Sequence, residues 1–278
     1  MPSMLVTSKA VQAGAAAAVT GFGDGTAAAE ELLFTVDQLM GDGDCESAVA
    51  ALEAGAHRLT TRFGPDTPGL LPIYGQLALL KFVEGKYEGA LHAAQRCYAA
   101  AVQREGEGSR GTLPHAVRYG VMLLASGDTA GALPLLHSSG CQLELHVRQL
   151  EAAAAALPSR AELGQLQGMM EELFDCAVAL GEATFYHSLG RIARSNHSKE
   201  AILREEGGLL DGLETLKHSL EANHIILVAA LREHSRLVSR ALERGQKLSH
   251  IELALQHKRL HDNVRAAVMF DLPSDDED

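Results

Sequence analysis

Apolar residues recur along this chain at spacings of three and four, the period of helices that bury one face. From about Ala27 onward, Leu32, Thr35, Val36 and Leu39 mark a first helix, which Gly41 to Gly43 ends. Ala48, Leu52 and Leu59 mark a second, reaching Phe63-Gly64. Pro65 and Pro68 then form a turn, since proline is excluded from a helix interior but tolerated where one starts. Ile73 to Val83, Tyr87 to about Arg104, and Pro114 to Ala125 read as three further helices, parted by Gly85 and by the loop Gly106 to Gly111. Gly127 makes the next turn.

Beyond Gly140 the helical period continues. Leu143, Val147, Leu150, Ala154 and Leu157 predict one helix, ended by Pro158-Ser159. Leu163, Leu166, Met170, Leu173, Ala177 and Leu180 predict another that stops at Gly181, and Ala183 to Ala193 a third. From Ser198 to Val268 the spacing alternates three and four through Leu213, Leu216, Leu220, Leu227, Ala230, Leu237, Ala241, Leu248, Ile251 and Leu255. Asn223, His234 and Arg244 are its polar interruptions. That pattern predicts one long helix or coiled coil, or a hairpin broken at Gly245. Asp271 to Asp278 is acidic and too short and polar to fold.

A repeat lies over the first half of this pattern. Gly43-Asp-Cys-Glu-Ser-Ala48-Val49, Gly85-Lys-Tyr-Glu-Gly-Ala90-Leu91 and Gly127-Asp-Thr-Ala-Gly-Ala132-Leu133 follow one another at intervals of 42 residues. A fixed period of this length points to stacked supersecondary units. With Phe63-Gly-Pro-Asp-Thr-Pro68 and Gln76-Leu-Ala-Leu-Leu80, the middle unit resembles a tetratricopeptide repeat (TPR), of the 42-residue kind found in kinesin light chains. The resemblance covers roughly residues 27–140. It implies helical hairpins whose turns carry Gly43, Gly85 and Gly127 and whose helices touch at Ala48, Ala90 and Ala132. The first unit departs from the pattern at Thr35-Val36, and the third at Pro134, in the first turn of its second helix, and at Gly140.

The expected fold is therefore all-α, a TPR-like superhelical stack of hairpins followed by a long C-terminal helical or coiled-coil region. The expected organisation is a flexible tail over 1–26, repeats over 27–140 and degenerate capping hairpins over 141–197. A long helix or helical hairpin follows over 198–270, then an acidic tail over 271–278.

Composition narrows the function. Hydrophobic residues make up 46% and aromatics 4%, with no Trp, which suits Ala- and Leu-rich packed helices. A formal charge of −12 disfavours nucleic acid and anionic membranes as partners. Cys45, Cys97, Cys141 and Cys176 are scattered, which reads as small buried thiols in a reducing, cytoplasmic compartment. Residues 1–23 lack acidic residues, but Lys9 is their only base, so a plain tail is expected over an organelle transit peptide.

Candidate chemistry is sparse. Gly21-x-Gly-x-Gly25 follows no strand, and Gly106 to Thr112 lacks the lysine of a phosphate loop. His257 and His261 lie one helical turn apart without a third ligand, and no nucleophile motif is present. No catalytic residue, metal or cofactor is expected.

Binding surfaces carry more information. By the resemblance, Gly75, Leu79, Phe82, Val117, Val121 and Leu124 line the concave groove. The Lys and Asn that clamp a C-terminal carboxylate in chaperone-binding TPR domains are missing at those positions. An apolar groove suits an amphipathic helix, from a partner or from the C-terminal region of this chain. Arg232, Arg236, Arg240 and Arg244 form a basic stripe, and Ser274 among acids is a candidate phosphosite. The expected function is a non-catalytic adaptor or scaffold that takes a peptide or amphipathic helix, with cytoskeletal or cargo work as the subclass the resemblance implies. The alternatives are a fixed subunit of a large assembly and, more distantly, an enzyme built from scattered residues.

Overall fold

The computed structural model describes residues 25–155, 163–220 and 224–243. Among them every regular element is an α-helix. In chain order these are α1 (Thr26–Gly41), α2 (Cys45–Phe63), α3 (Leu70–Val83), α4 (Tyr87–Glu105), α5 (Leu113–Ala125), α6 (Thr129–Ala155), α7 (Leu163–Arg194), α8 (Lys199–Ser219) and α9 (Ile225–Glu243). Each of α1 to α8 packs against the helix that follows it, α1 also reaches α3, and α5 reaches α7. The helix α9 leaves this order and lies against α3, α7 and α8.

The three cassettes fold alike, and their turns explain why. Gly43, Gly85 and Gly127 have φ of +79°, +78° and +91°, a left-handed conformation that glycine adopts without a Cβ clash. In each turn the amide three places past the helix reaches back five residues: Asp44 N–H to Leu39 O, Lys86 N–H to Lys81 O, and Asp128 N–H to Leu123 O, at 2.9, 2.8 and 2.9 Å. The glycine amide bonds three residues back, to Met40, Phe82 and Leu124. This pair of bonds is the Schellman closure, which satisfies carbonyls that a helix end leaves open. Asp44 and Asp128 then cap the next helix, their carboxylates accepting from Ser47 N–H (3.0 Å) and Gly131 N–H (2.9 Å). Ala48, Ala90 and Ala132 are all fully buried where the hairpin helices meet.

The α7–α8 turn uses the same closure without glycine. His197 N–H donates to Ile192 O and Asn196 N–H to Ala193 O, both at 3.0 Å, and Asn196 and His197 have φ of 51° and 53°. Asn tolerates this region better than most residues. Ser198 caps α8 by accepting from Ala201 N–H at 3.2 Å.

Several expected boundaries move. Pro134 and Gly140 do not interrupt α6, which runs unbroken across the expected division at residue 140. Pro134 lacks the N–H that would bond near the start of the helix, while buried Ala132, Leu133, Leu136 and Leu143 hold the segment against its neighbours. Gly181 does not end a helix either; α7 is continuous from Leu163 to Arg194. It is a point of close approach. A Cβ on Gly212 of α8 would lie 2.6 Å from Phe185 N and 2.9 Å from Gly181 O, so the two backbones touch there. The expected division at residue 197 separates α7 from α8, which pack as one hairpin.

The long three-and-four seam does not belong to one helix. At Leu220 the backbone is extended (φ −122°, ψ 148°), and the chain restarts as α9. Leu213 and Leu216 are buried on α8, and Leu227, Ala230, His234 and Leu237 on α9. The seam beyond Glu243, the acidic stretch 271–278 and the expected N-terminal tail over 1–24 lie outside the described residues.

Candidate partner groove and its resident helix

Of the six residues expected to line a groove, five are buried and Leu124 is partly buried. Val117 and Val121 on α5 are fully buried, and Leu124 packs toward Gly190 of α7, where an added Cβ would stand 3.3 Å from it. Gly75 faces Cys97 of α4, and Leu79 and Phe82 are buried as well. The covering elements are the chain's own: α7 lies beside α5, and α9 lies against α3 and α7.

The seat of α9 is built from aromatic and charged groups. Phe82 of α3 meets Tyr87 at 5.9 Å between ring centres and Tyr186 of α7 edge-on at 6.5 Å. Tyr186 also makes a T-shaped contact with Phe185 at 5.0 Å. Tilted and edge-on arrangements suit the ring quadrupoles. Val228, Ala229, Arg232 and Glu233 of α9 lie over Phe82, Val83 and Tyr87, leaving a void of about 10 Å3 between them. That volume is about one water. Burial, helped by nearby Glu233 and Glu182, holds the Tyr186 hydroxyl well above the usual phenol range.

Arg232 explains much of the seat. Its Nη1 donates to Val83 O at 3.1 Å. Val83 closes α3, and the amide that would bond its carbonyl in a continuing helix, Tyr87 N–H, donates to Gly85 O instead. The guanidinium therefore caps a carbonyl orphaned by the turn and sits at the negative end of the α3 dipole. Arg236 pairs with Glu233 of its own helix at 2.7 Å. Arg240 is exposed, and Arg244 lies outside the described residues. The expected stripe thus begins in two intramolecular bonds.

Beneath the α9 start, Arg118 of α5 and Glu182 of α7 form an ion pair of 3.5 Å, long for a charge-assisted bond. The Glu182 side chain is only 4% exposed, and burial raises its pKa against the pull of Arg118. His224 precedes α9, and its Nδ1 accepts from Ile226 N–H at 3.3 Å. Burial and the nearby Arg118 push its pKa down to about 4, which keeps that nitrogen unprotonated and able to accept.

A second pair escaped the sequence reading because its members are far apart in the chain. Cys97 Sγ lies 3.3 Å from His115 Nδ1 and 3.3 Å from Leu71 O. Burial pushes the thiol up to about 11 and the imidazole down to about 4. A nucleophilic cysteine needs the opposite: a depressed thiol pKa beside a cationic partner. Burial thus favours the neutral form of both groups. The four thiols are not uniformly buried, since Cys45 is half-buried and Cys141 exposed.

The Thr112 hydroxyl, at the end of the Gly106 to Thr112 loop, is buried and donates to Ala101 O. Among the described residues no three His, Cys, Asp or Glu side chains gather as a metal site, and no helix is long and apolar enough to cross a membrane. His257, His261 and Ser274 lie outside the described residues. Compared with known protein families and with curated proteins, the chain matches no family model and no curated sequence.

Proposed function

We propose that this protein is a non-catalytic interaction adaptor or scaffold of the tetratricopeptide type, whose hairpin stack holds amphipathic helices. The observation that carries the reading is the seat of α9. The stack already accepts one such helix, through apolar contact with Phe82 and Tyr87 and an Arg232 cap on α3. Three turns with the same bonding at the 42-residue period support a repeat architecture, and repeat surfaces commonly serve as binding scaffolds. In this reading α9 fills the groove in cis, and a partner's helix reaches it by displacing α9. A cytoskeletal or cargo role is the subclass that the sequence resemblance favours, and fold alone does not fix it. An adaptor is stable alone and binds reversibly, so gel filtration of the isolated protein and of its native complex tests the reading. Co-purification only at fixed stoichiometry, with an unstable isolated chain, contradicts it.

One observation favours a second reading, a fixed subunit of a larger assembly. Leu145, Met170 and Phe174 on the α6–α7 hairpin are 54%, 59% and 41% exposed, apolar side chains that a neighbouring subunit would cover. The same gel-filtration comparison separates the two.

A further inference from the structure

A cleft of about 270 Å3 opens where α2, α3 and α4 meet, away from α9. Tyr74, Leu77 and Lys81 face it from α3, on a different side of that helix from Leu79 and Phe82. Its floor is apolar, made by Ala56, Leu77 and Ala93, all buried. Its polar groups are Glu53, His57 and Thr60 on α2, the last donating to Ala56 O at 2.8 Å, Lys81 on α3, and His92 and Arg96 on α4.

Only two of those groups satisfy each other: Lys81 Nζ lies 2.6 Å from Glu53 Oε1. The Arg96 guanidinium lies over the Tyr74 ring at 4.5 Å. A stacked guanidinium keeps its N–H edge for a planar acceptor. Among the described residues, no carboxylate meets that edge, and the His57 and His92 rings have no hydrogen-bond partner. One cation and two imidazole donors are thus left over an apolar floor, in a chain whose formal charge is −12.

We propose that this cleft binds an acidic side chain of a partner peptide, with Arg96 gripping the carboxylate and His57 and His92 donating beside it. The inference rests on the adaptor reading and gives it a second, open contact. The cleft is smaller than the 300 Å3 or more typical of small-molecule sites, so it fits a side chain or two. A cation is disfavoured because the one carboxylate present is engaged by Lys81. A nucleic-acid backbone needs rows of cations, and this cleft leaves one unpaired. The apolar floor calls for a small or aliphatic residue next to the acid.

The test uses the full chain and a fluorescein-labelled peptide of four Glu-Ala pairs, with its Gln-Ala counterpart, followed by fluorescence anisotropy. The Glu peptide is expected to bind at least about tenfold tighter than the Gln peptide, as a charge-assisted contact requires. Arg96→Glu is expected to remove that preference, and His57→Ala with His92→Ala to weaken binding about threefold. Arg96 is exposed, so circular dichroism of the variant should match the parent. Equal binding of the two peptides, or no effect of Arg96→Glu, overturns the proposal. The chain carries five acids of its own in 271–278, so the titration is repeated with these changed to amides. Unchanged affinity supports a partner ligand. A gain of about tenfold means the chain's own acids hold the cleft, and it overturns the partner assignment. Failure of any arm leaves the adaptor reading standing, because that reading is decided by partner stoichiometry.

Discussion

Arg232 and Val83, separated by 149 positions in the chain, are joined by a 3.1 Å bond from guanidinium to carbonyl. The turn at Gly85 leaves the Val83 carbonyl without a helical donor, and α9 supplies one. Arg232→Ala should therefore loosen α9 by about 1 to 3 kcal/mol, the cost of orphaning a carbonyl and losing a charged donor. Hydrogen exchange should accelerate across residues 225–243, with little change in α1 and α2. Uniform acceleration everywhere would mean that α9 is part of the general core.

Two glycines separate backbone strain from crowding. Gly85 has φ of +78° and open space around its Cα, so Gly85→Ala should cost about 1 to 2 kcal/mol through conformation alone. Gly212 has ordinary helical backbone, but an added Cβ there meets Phe185 and Gly181 backbone below 3 Å. Gly212→Ala should cost more, about 3 kcal/mol, because α7 and α8 must separate. Urea denaturation of both variants gives the order, and an equal or reversed order would contradict the close approach.

Acid should act through His115. Its folded pKa is about 4 against an ordinary 6.5, so the unfolded chain binds the proton more tightly between those values. The stability this group contributes is complete above about pH 6.5 and is lost as pH falls toward 4. His224 acts in the same direction, whereas Asp37, raised to about 6 by burial, opposes it. A difference measurement isolates His115: the stability gap between the parent and His115→Gln should shrink by about 2 kcal/mol from pH 7 to pH 5. A gap that stays constant or widens would contradict the buried neutral imidazole.

Thiol labelling should rank the cysteines. Cys141 is exposed, whereas Cys97 is buried with its thiol pushed up to about 11. Brief iodoacetamide treatment of native protein should mark Cys141 first and Cys97 only after denaturation, read by mass spectrometry. Early labelling of Cys97 would argue for a reactive Cys97–His115 pair.

The first five helices were legible in the sequence because glycine and proline mark their ends. The same signal misled at Gly140 and Gly181. There the missing side chain serves contact between helices, at Ala183 for Gly140 and at Gly212 for Gly181, and a single sequence does not distinguish a stop from a contact. The Leu213-to-Leu237 seam misled for a related reason. Two helices that each bury a face keep the three-and-four spacing across the break at Leu220. The groove residues were legible as an apolar set and the C-terminal region as one of two possible covers, but the sequence alone does not choose between it and a partner's helix, since the α3–α9 contact joins distant segments. The Arg96 cleft was equally hidden, because its lining comes from three helices that only the packing brings together.

In the adaptor reading α9 occupies the groove of its own chain. A photoreactive p-benzoylphenylalanine in place of Tyr87, which faces Val228, Ala229, Arg232 and Glu233, tests it most directly. Irradiation of the 278-residue protein should link position 87 to a peptide within 225–243 of the same chain, with a yield independent of protein concentration. Linkage only between chains, or none to residues 225–243, would contradict the account.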